Sequence, residues 1–384
     1  MTGGLAANTI IVLTILCVIL ILGAIVFYTA GAIFTWQFFR TRETVPSHSE
    51  APVAILVPVR GIDAGAWENW SSLCEQDYEN YRVYFGVLDP ADPAVPILEQ
   101  IVEKYPDRAS LTTDLPPRGP NHKDSNVSYL LEQIQTEWVI FTDSDIYVEP
   151  DYIRRVTAPL QQPGVGMVTC SYIARNPRYF GSALASLARC CDFVPSVLIA
   201  RQLDGGVKLG IGVTMAVTQT ALKQAGNLVF NRIGSDYNLG KRIDAAGYRV
   251  ELSRYVLESD TGKESIADVF ERELRWSRTI RFNKGPIYYT QIFCFGTVFC
   301  MPLLLLTGFA SWAIGLTVIT FLVRYLQAQN ATMMMDAPRL SRWFWLLPLR
   351  DLLSFVIWAI GGYGRTIFWR GRKLRIQGDG IITE

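Results

Sequence analysis

Apolar and polar positions fall into three regimes along the chain. Positions 9–28 form an uncharged apolar run, close to the roughly 20 residues needed to cross hydrocarbon. No basic stretch precedes it and no small-residue cleavage site follows, so a retained anchor is expected rather than a removed signal. From 40 to about 260 the sequence reads as ordinary globular protein. After 285 it turns apolar again. Segments 287–307 and 311–326 read as two spans joined near Gly308. A third apolar stretch, 343–363, contains Arg350 and Asp351. Mid-segment charges of this kind favour a re-entrant or interfacial path over a plain crossing. A basic tail with Arg365, Arg370, Arg372, Lys373 and Arg375 comes last.

Within the globular stretch, strand-like and helix-like patterns alternate. Strands are expected at 53–57, 83–88 and 138–142. Helices are expected at 67–76, 96–104, 124–135 and 238–246, and a loop at 111–121. This alternation predicts an α/β fold whose mostly parallel sheet is covered on both faces. Ligands of such sheets bind at the carboxyl ends of the strands. Asp89, Asp92, Asp143 and Asp145 all fall there. The expected division is an N-terminal transmembrane anchor (1–40), an α/β domain (50–262), an amphipathic interfacial helix (263–285), transmembrane or re-entrant helices (286–364) and a basic cytosolic tail (365–384).

The charge balance narrows the class. Half of the 384 residues are hydrophobic, 18% are charged, and the net charge is +1. A nucleic-acid binder would show a basic surplus. Arg40 and Arg42 follow the first apolar run, so the positive-inside tendency puts residue 40 onward in the cytosol. Seven cysteines without CxxC spacing fit free thiols on the reducing side of a membrane. Only two histidines occur, His48 and His122. That argues against a His-ligated zinc and against a Ser-His-Asp triad.

Five constellations carry candidate chemistry. Asp143-Ser144-Asp145 ends a strand, and two carboxylates one residue apart offer hard oxygen ligands to a divalent cation. The alternative is a strand-end turn with solvated acids. Asp89 and Asp92 follow another strand, where an acid accepts a ring N–H or forms a turn before proline. Asp236 precedes a helix; alone it reads as an N-cap, and in a site it would be a general base. Lys123, in Asn121-His122-Lys123, suits a phosphate or the open surface. Arg272-Glu273-Leu274-Arg275-Trp276 places Arg272, Arg275 and Trp276 at i, i+3 and i+4, on one helical face. Such a face suits a diphosphate leaving group, or equally a membrane interface.

Taken in order, Asp92, Asp143-Ser144-Asp145, Asp236 and Arg272-Glu273-Leu274-Arg275-Trp276 resemble the D, D, D, (Q/R)xxRW signature of inverting GT-A-type glycosyltransferases. The likeness is closest to the ceramide glucosyltransferase family, glycosyltransferase family 21, and to related bacterial hopanoid-biosynthesis glycosyltransferases. Pro58-Val59-Arg60-Gly61, Asp77-Tyr78-Glu79-Asn80-Tyr81 and Asn121-His122-Lys123 with Asn126 extend it from about residue 50 to 285. The stretch Cys191-Asp192-Phe193 departs from the animal ceramide enzymes, which carry a histidine there, and looks more like the hopanoid-type members.

The resemblance implies a GT-A (Rossmann-like) catalytic domain at 50–262, flanked by transmembrane helices. It implies a UDP-sugar donor and a membrane lipid acceptor, ceramide or hopanoid. Asp92, or Asp89, would contact uracil. Asp143 and Asp145 would hold the ribose-diphosphate and a divalent cation, Mg²⁺ or Mn²⁺. Asp236 would be the base, and Arg272, Arg275 and Trp276, with Lys123, would serve the donor. All of this requires the scattered acids and the cationic helix to converge on one pocket beside the bilayer. An integral protein with its catalytic domain in the cytosol is expected, in a bacterial inner membrane. A processive polysaccharide synthase and a non-catalytic membrane scaffold are the competing readings.

Overall fold

The structure, a computed structural model, describes residues 2–41, 51–259 and 262–383. Arg42 and His48 therefore lie outside the described residues. The chain forms two compact units. The α/β unit comprises Arg42–Ala174, Ala200–Gly262 and Arg372–Glu384. The helical unit comprises Met1–Thr41, Arg175–Ile199 and Lys263–Gly371. Two stretches thus fall on the other side of the division from where their pattern suggests: 175–199 is helical-unit chain, and 372–384 is α/β-unit chain.

In chain order, helix α1 (Thr2–Phe39) precedes strand β1 (Val53–Val59), α2 (Ala66–Cys74), β2 (Tyr81–Val87), α3 (Val95–Lys104) and β3 (Ala109–Thr112). Next come α4 (His122–Leu131), β4 (Trp138–Thr142), α5 (Tyr152–Thr157), β5 (Val165–Ile173), α6 (Phe180–Ala188), a π-helical turn (Arg189–Phe193) and α7 (Val194–Leu203). Then follow β6 (Thr214–Thr218), α8 (Gln219–Gln224), α9 (Ser235–Ala245), β7 (Arg249–Glu258) and α10 (Ile266–Lys284). The chain continues through α11 (Gly296–Leu306), α12 (Ser311–Met334), α13 (Leu347–Gly361), β8 (Thr366–Trp369), β9 (Arg372–Ile376) and β10 (Ile382–Thr383).

The α/β unit is built on a seven-stranded sheet of order β3-β2-β1-β4-β6-β5-β7. β1 pairs in parallel with β2 and β4, β2 with β3, and β5 with β7. Only β6 is reversed: it runs antiparallel to both β4 and β5. Val53 to Val57 are all buried, the mark of a central strand covered on both faces. The reversal of β6 decides where chemistry can sit. It pairs Thr142 with Thr214, so the carboxyl end of β4 adjoins the amino end of β6. The loops after Thr142 and before Thr214 therefore share one edge of the sheet.

The helical unit is long-helixed and apolar. Among the described residues, four helical segments have the length and composition to cross a membrane: Ala7–Phe39, Phe180–Leu203, Ser311–Met334 and Pro338–Gly361. A fifth is obtained if Ile266–Cys294 and Gly296–Leu306, bent by 56° at their junction, count as one span. Phe180–Leu203 was not legible as a span, because Arg189, Asp192 and Arg201 break its apolar run.

Three buried charges inside these segments, Arg324, Arg350 and Asp351, are paired, as burial away from water demands. Arg324 of α12, 1% exposed, donates to both oxygens of Asp351 (2.6 and 3.2 Å) and meets Asp192 Oδ1 at 2.7 Å. The Thr297 hydroxyl also donates to Asp351, at 2.7 Å. Arg350 donates to both oxygens of Glu273 in α10, at 3.1 and 2.6 Å.

Candidate active site

The site edge of the α/β unit is assembled from the segments that follow β2 and β4 and those that lead into α4, β6 and α9. Thr142, the last residue of β4, is buried; its hydroxyl reaches Val213 O (3.0 Å) and Thr214 Oγ1 (2.8 Å). Next in chain, the Asp143 amide donates to Val213 O at 3.0 Å. The indole of buried Trp70, from α2, donates to Ser144 O at 3.1 Å. The Asp143-Ser144-Asp145 loop is thus fixed from both sides, and both aspartates remain partly exposed.

Lys123 reaches this loop from the first turn of α4. Asn121 caps that helix: its side chain accepts from the Asp124 amide at 3.1 Å and donates to Arg232 O at 3.2 Å. Lys123 Nζ then lies 2.5 Å from Asp143 Oδ1 and 3.1 Å from Gly212 O. Burial pulls the Lys123 pKa down, but Asp143, aided by Asp236 and Asp124, outweighs it, so the ammonium sits above its ordinary value.

Asp236 enters at the start of α9. Gly234, with φ 62°, occupies the left-handed region at the helix start, where glycine carries no side-chain penalty. Asp236 Oδ2 accepts from the Gly212 amide at 2.8 Å. An ideal Cβ on Gly212 would stand 2.6 Å from that oxygen, so the close approach needs glycine. Gly212, Trp70 and Thr214 were not legible as site residues. The hint was the Gly210-Ile211-Gly212 run just ahead of a strand.

Asp92 and Asp89 follow β2. Both Asp92 oxygens accept from the Gly61 amide at 3.0 Å, and Oδ1 also accepts from Ala94 N at 2.9 Å. Asp92 therefore clasps the Pro58-Val59-Arg60-Gly61 turn to the start of α3. Exposed Asp89 accepts from Ala91 N at 2.9 Å, the turn role that its sequence setting allows.

The remaining candidates belong to the helical unit. α10 starts on a capping box between Ser265 and Asp268. Arg272 is ion-paired with Glu264 and stacks 5.4 Å from the Trp276 ring centroid. Arg189, from the π-helical turn, lies 5.9 Å from the same ring. Arg275 lies 5.5 Å from the Trp369 ring. Arg272 and Trp276 thus share a face, as their spacing predicts, while Arg275 is occupied by a second indole.

The metal question turns on donor chemistry. Among the described residues, no group of three or more His, Cys, Asp or Glu is gathered as a metal cage. Asp143 and Asp145 supply two hard carboxylates. A Mg²⁺-class cation is commonly held by one or two carboxylates plus substrate phosphates, so the donor set fits a cation brought in with a diphosphate. None of the seven cysteines is in a disulfide.

The sheet order and the acidic loop at the end of β4 agree with the GT-A fold that the sequence resemblance implies. The mannosyltransferase PcManGT of Pyrobaculum calidifontis, solved with GDP-Man and Mn²⁺, has the same fold: TM-score 0.54 at 15% identity, over 91% of this chain and 100% of that one. Residues 16–382 match Glycosyl transferase family 21, and the chain belongs to that family. Ceramide glucosyltransferase 1 of Caenorhabditis elegans is 21% identical over 365 residues, which cover 91% of this chain and 77% of that protein. Ceramide glucosyltransferase 3 of the same organism is 22% identical over 259 residues, 63% of this chain and 53% of the relative. The protein is accordingly a glycosyltransferase, with several helices able to cross a membrane.

Proposed function

We propose that this enzyme moves a sugar from a UDP-sugar to a lipid hydroxyl and inverts the anomeric configuration. The observation that carries the reading is the set Lys123, Asp143, Gly212 and Asp236, linked by contacts of 2.5 to 3.1 Å at the carboxyl edge of the sheet. Asp236 is the base. Its Oδ2 is held by the Gly212 amide, and Oδ1 takes the proton of the acceptor hydroxyl. The hydroxyl oxygen attacks the anomeric carbon as the bond to the diphosphate breaks, and UDP leaves with the electron pair. Asp92 retains acceptor capacity for the uracil N–H beyond its two backbone partners, the Gly61 and Ala94 amides, and Asp89 stands three residues before it.

Asp143 and Asp145 are the residues that would hold Mg²⁺ or Mn²⁺, whose charge neutralises diphosphate oxygens when bound. Lys123, whose Nζ lies 2.5 Å from Asp143 Oδ1, would be a further partner for the diphosphate. We assign Arg272 and Arg275 to the same departing charge, and Trp276 to the sugar or acceptor. Ceramide is the acceptor class favoured by the named relatives, and a hopanoid by the Cys191-Asp192-Phe193 stretch. A cytosolic catalytic domain follows from Arg40 at the end of α1, and a bacterial inner membrane from the hopanoid-type likeness.

The test is product analysis. Membranes containing the chain, given UDP-glucose, UDP-N-acetylglucosamine or UDP-galactose, are expected to make a lipid bearing one sugar, identified by mass spectrometry. A long polymer would instead identify a processive synthase. No turnover of any UDP-sugar would identify a scaffold.

A further inference from the structure

We propose that Glu273 and Arg350 are positioning residues: an ion pair inside the helical unit that sets the rotation of α10 and so the direction of Arg272, Arg275 and Trp276. The proposal rests on the reading that this motif serves the donor.

Glu273 sits within the motif, yet its side chain does different work from its neighbours. It is 8% exposed, and Arg350 is 1% exposed. Both Glu273 oxygens are taken by Arg350, at 3.1 and 2.6 Å. The guanidinium also donates to Ser354 Oγ, one turn along α13, at 3.0 and 2.8 Å. With both oxygens engaged, Glu273 is not an acid or base for the reaction.

One turn after Glu273, the same side of α10 is fastened again. The Ser277 hydroxyl pairs with Tyr288 OH at 2.7 Å, and Tyr288 donates to Trp358 O of α13 at 2.5 Å. Glu273 and Ser277, at i and i+4, form the seam against α13. At about 100° per residue, Arg275 points roughly 160° away from Glu273, and Arg272 and Trp276 lie between. Fixing the seam therefore fixes where the two guanidiniums and the indole point.

The energetics favour orientation over stability as the reason for this pair. Apolar side chains of similar volume fill such a site as well or better, because desolvating two charges offsets their attraction. What apolar packing lacks is a defined angle. A fork-to-fork guanidinium–carboxylate contact supplies one, because its hydrogen bonds fail when either plane rotates.

The experiment compares purified full-length protein with the double variant Glu273→Met/Arg350→Met and the reversed pair Glu273→Arg/Arg350→Glu. Thermal unfolding, UDP affinity with Mn²⁺ present, and kcat and KM for UDP-glucose are measured on each. The apolar double variant is expected to unfold at or above the wild-type temperature. It is also expected to lose UDP affinity and kcat/KM by on the order of 10- to 100-fold, the scale of a misplaced binding group. The reversed pair is expected to recover part of that loss. A double variant with wild-type UDP affinity and kinetics overturns the proposal, and so does one that no longer folds, since the pair would then serve stability alone. Wild-type protein that binds UDP but transfers no sugar overturns the functional reading instead; UDP affinity across the variants still decides this one. Wild-type protein that binds no UDP removes both.

Discussion

Lys123 and Asp236 are joined through a single residue. The Gly212 carbonyl accepts from Lys123 Nζ at 3.1 Å while the Gly212 amide donates to Asp236 Oδ2 at 2.8 Å. The loop before the reversed strand thus spaces the cation from the proposed base. A methyl at this position would meet Asp236 Oδ2 at 2.6 Å. Gly212→Ala should therefore displace the base and lower kcat by on the order of 10- to 100-fold. UDP affinity should stay within a few-fold. Steady-state kinetics beside UDP titration checks this; unchanged kcat would mean that Asp236 acts from some other position.

Asp236→Asn removes the proton acceptor but keeps the shape and the acceptor for the Gly212 amide. General-base assistance is typically worth about 10²- to 10⁴-fold. Turnover should fall by that order while UDP binding persists. A variant with wild-type turnover takes Asp236 out of the mechanism.

Asp143→Asn and Asp145→Asn each remove one hard ligand. Binding of Mn²⁺ to the UDP-loaded protein, followed by titration, should weaken in both. Chelator should stop the wild-type reaction, and added Mg²⁺ or Mn²⁺ should restore it. Undiminished turnover in chelator would end the cation assignment.

Asp124 lends the site unit a pH dependence. Burial pushes its carboxyl up to about 7, against the pull of Ser235, Lys123 and Arg242; the charge of Asp236 adds to the rise. In the unfolded chain an aspartate ionises near about 3.9. Between these values the folded protein keeps a proton that the unfolded chain has lost. The stabilisation is complete below about pH 4 and is lost as pH rises through about 7. Asp124→Asn should flatten this slope, raising the unfolding temperature relative to wild type at pH 8 more than at pH 5. Parallel profiles would show that Asp124 is ionised in the fold.

Arg324→Leu leaves the carboxylates of Asp351 and Asp192 without their cation inside the helical unit. Breaking a buried pair by removing one partner costs about 3–5 kcal/mol. The purified variant should unfold at clearly lower temperature, and an unshifted midpoint would mean that the carboxylates find other compensation.

Particular residues show why some of this was readable and some was not. β4 was legible end to end, because 138–142 is a short apolar strand closed by an acid. α10 was legible from its apolar and cationic periodicity. The reversed strand β6 was not: Thr214–Thr218 is only five residues long, and nothing local encodes direction. Arg350 and Asp351 read as reasons for a segment to avoid the bilayer interior. In the fold both are buried against partners 77 and 27 positions away, Glu273 and Arg324. Sequence spacing carries no record of such pairings. The basic tail misled differently. Arg372 to Ile376 alternates, with Leu374 and Ile376 buried and Lys373 and Arg375 exposed. That is a strand's period of two under a high charge.

The closing strands bear on how the enzyme is made. Arg372 donates to Pro120 O at 3.0 Å, Ile233 N to Gly380 O at 2.9 Å, and Ile382 N to Asn231 O at 2.8 Å. These contacts brace the segments that lead into Lys123 and Asp236. Residues 372–383 leave the ribosome only after every helix of the helical unit has been synthesised. The segment that introduces the proposed base therefore gains its last supports when translation has passed all the hydrophobic helices. A nascent chain halted before residue 372 holds the acids but not the braces.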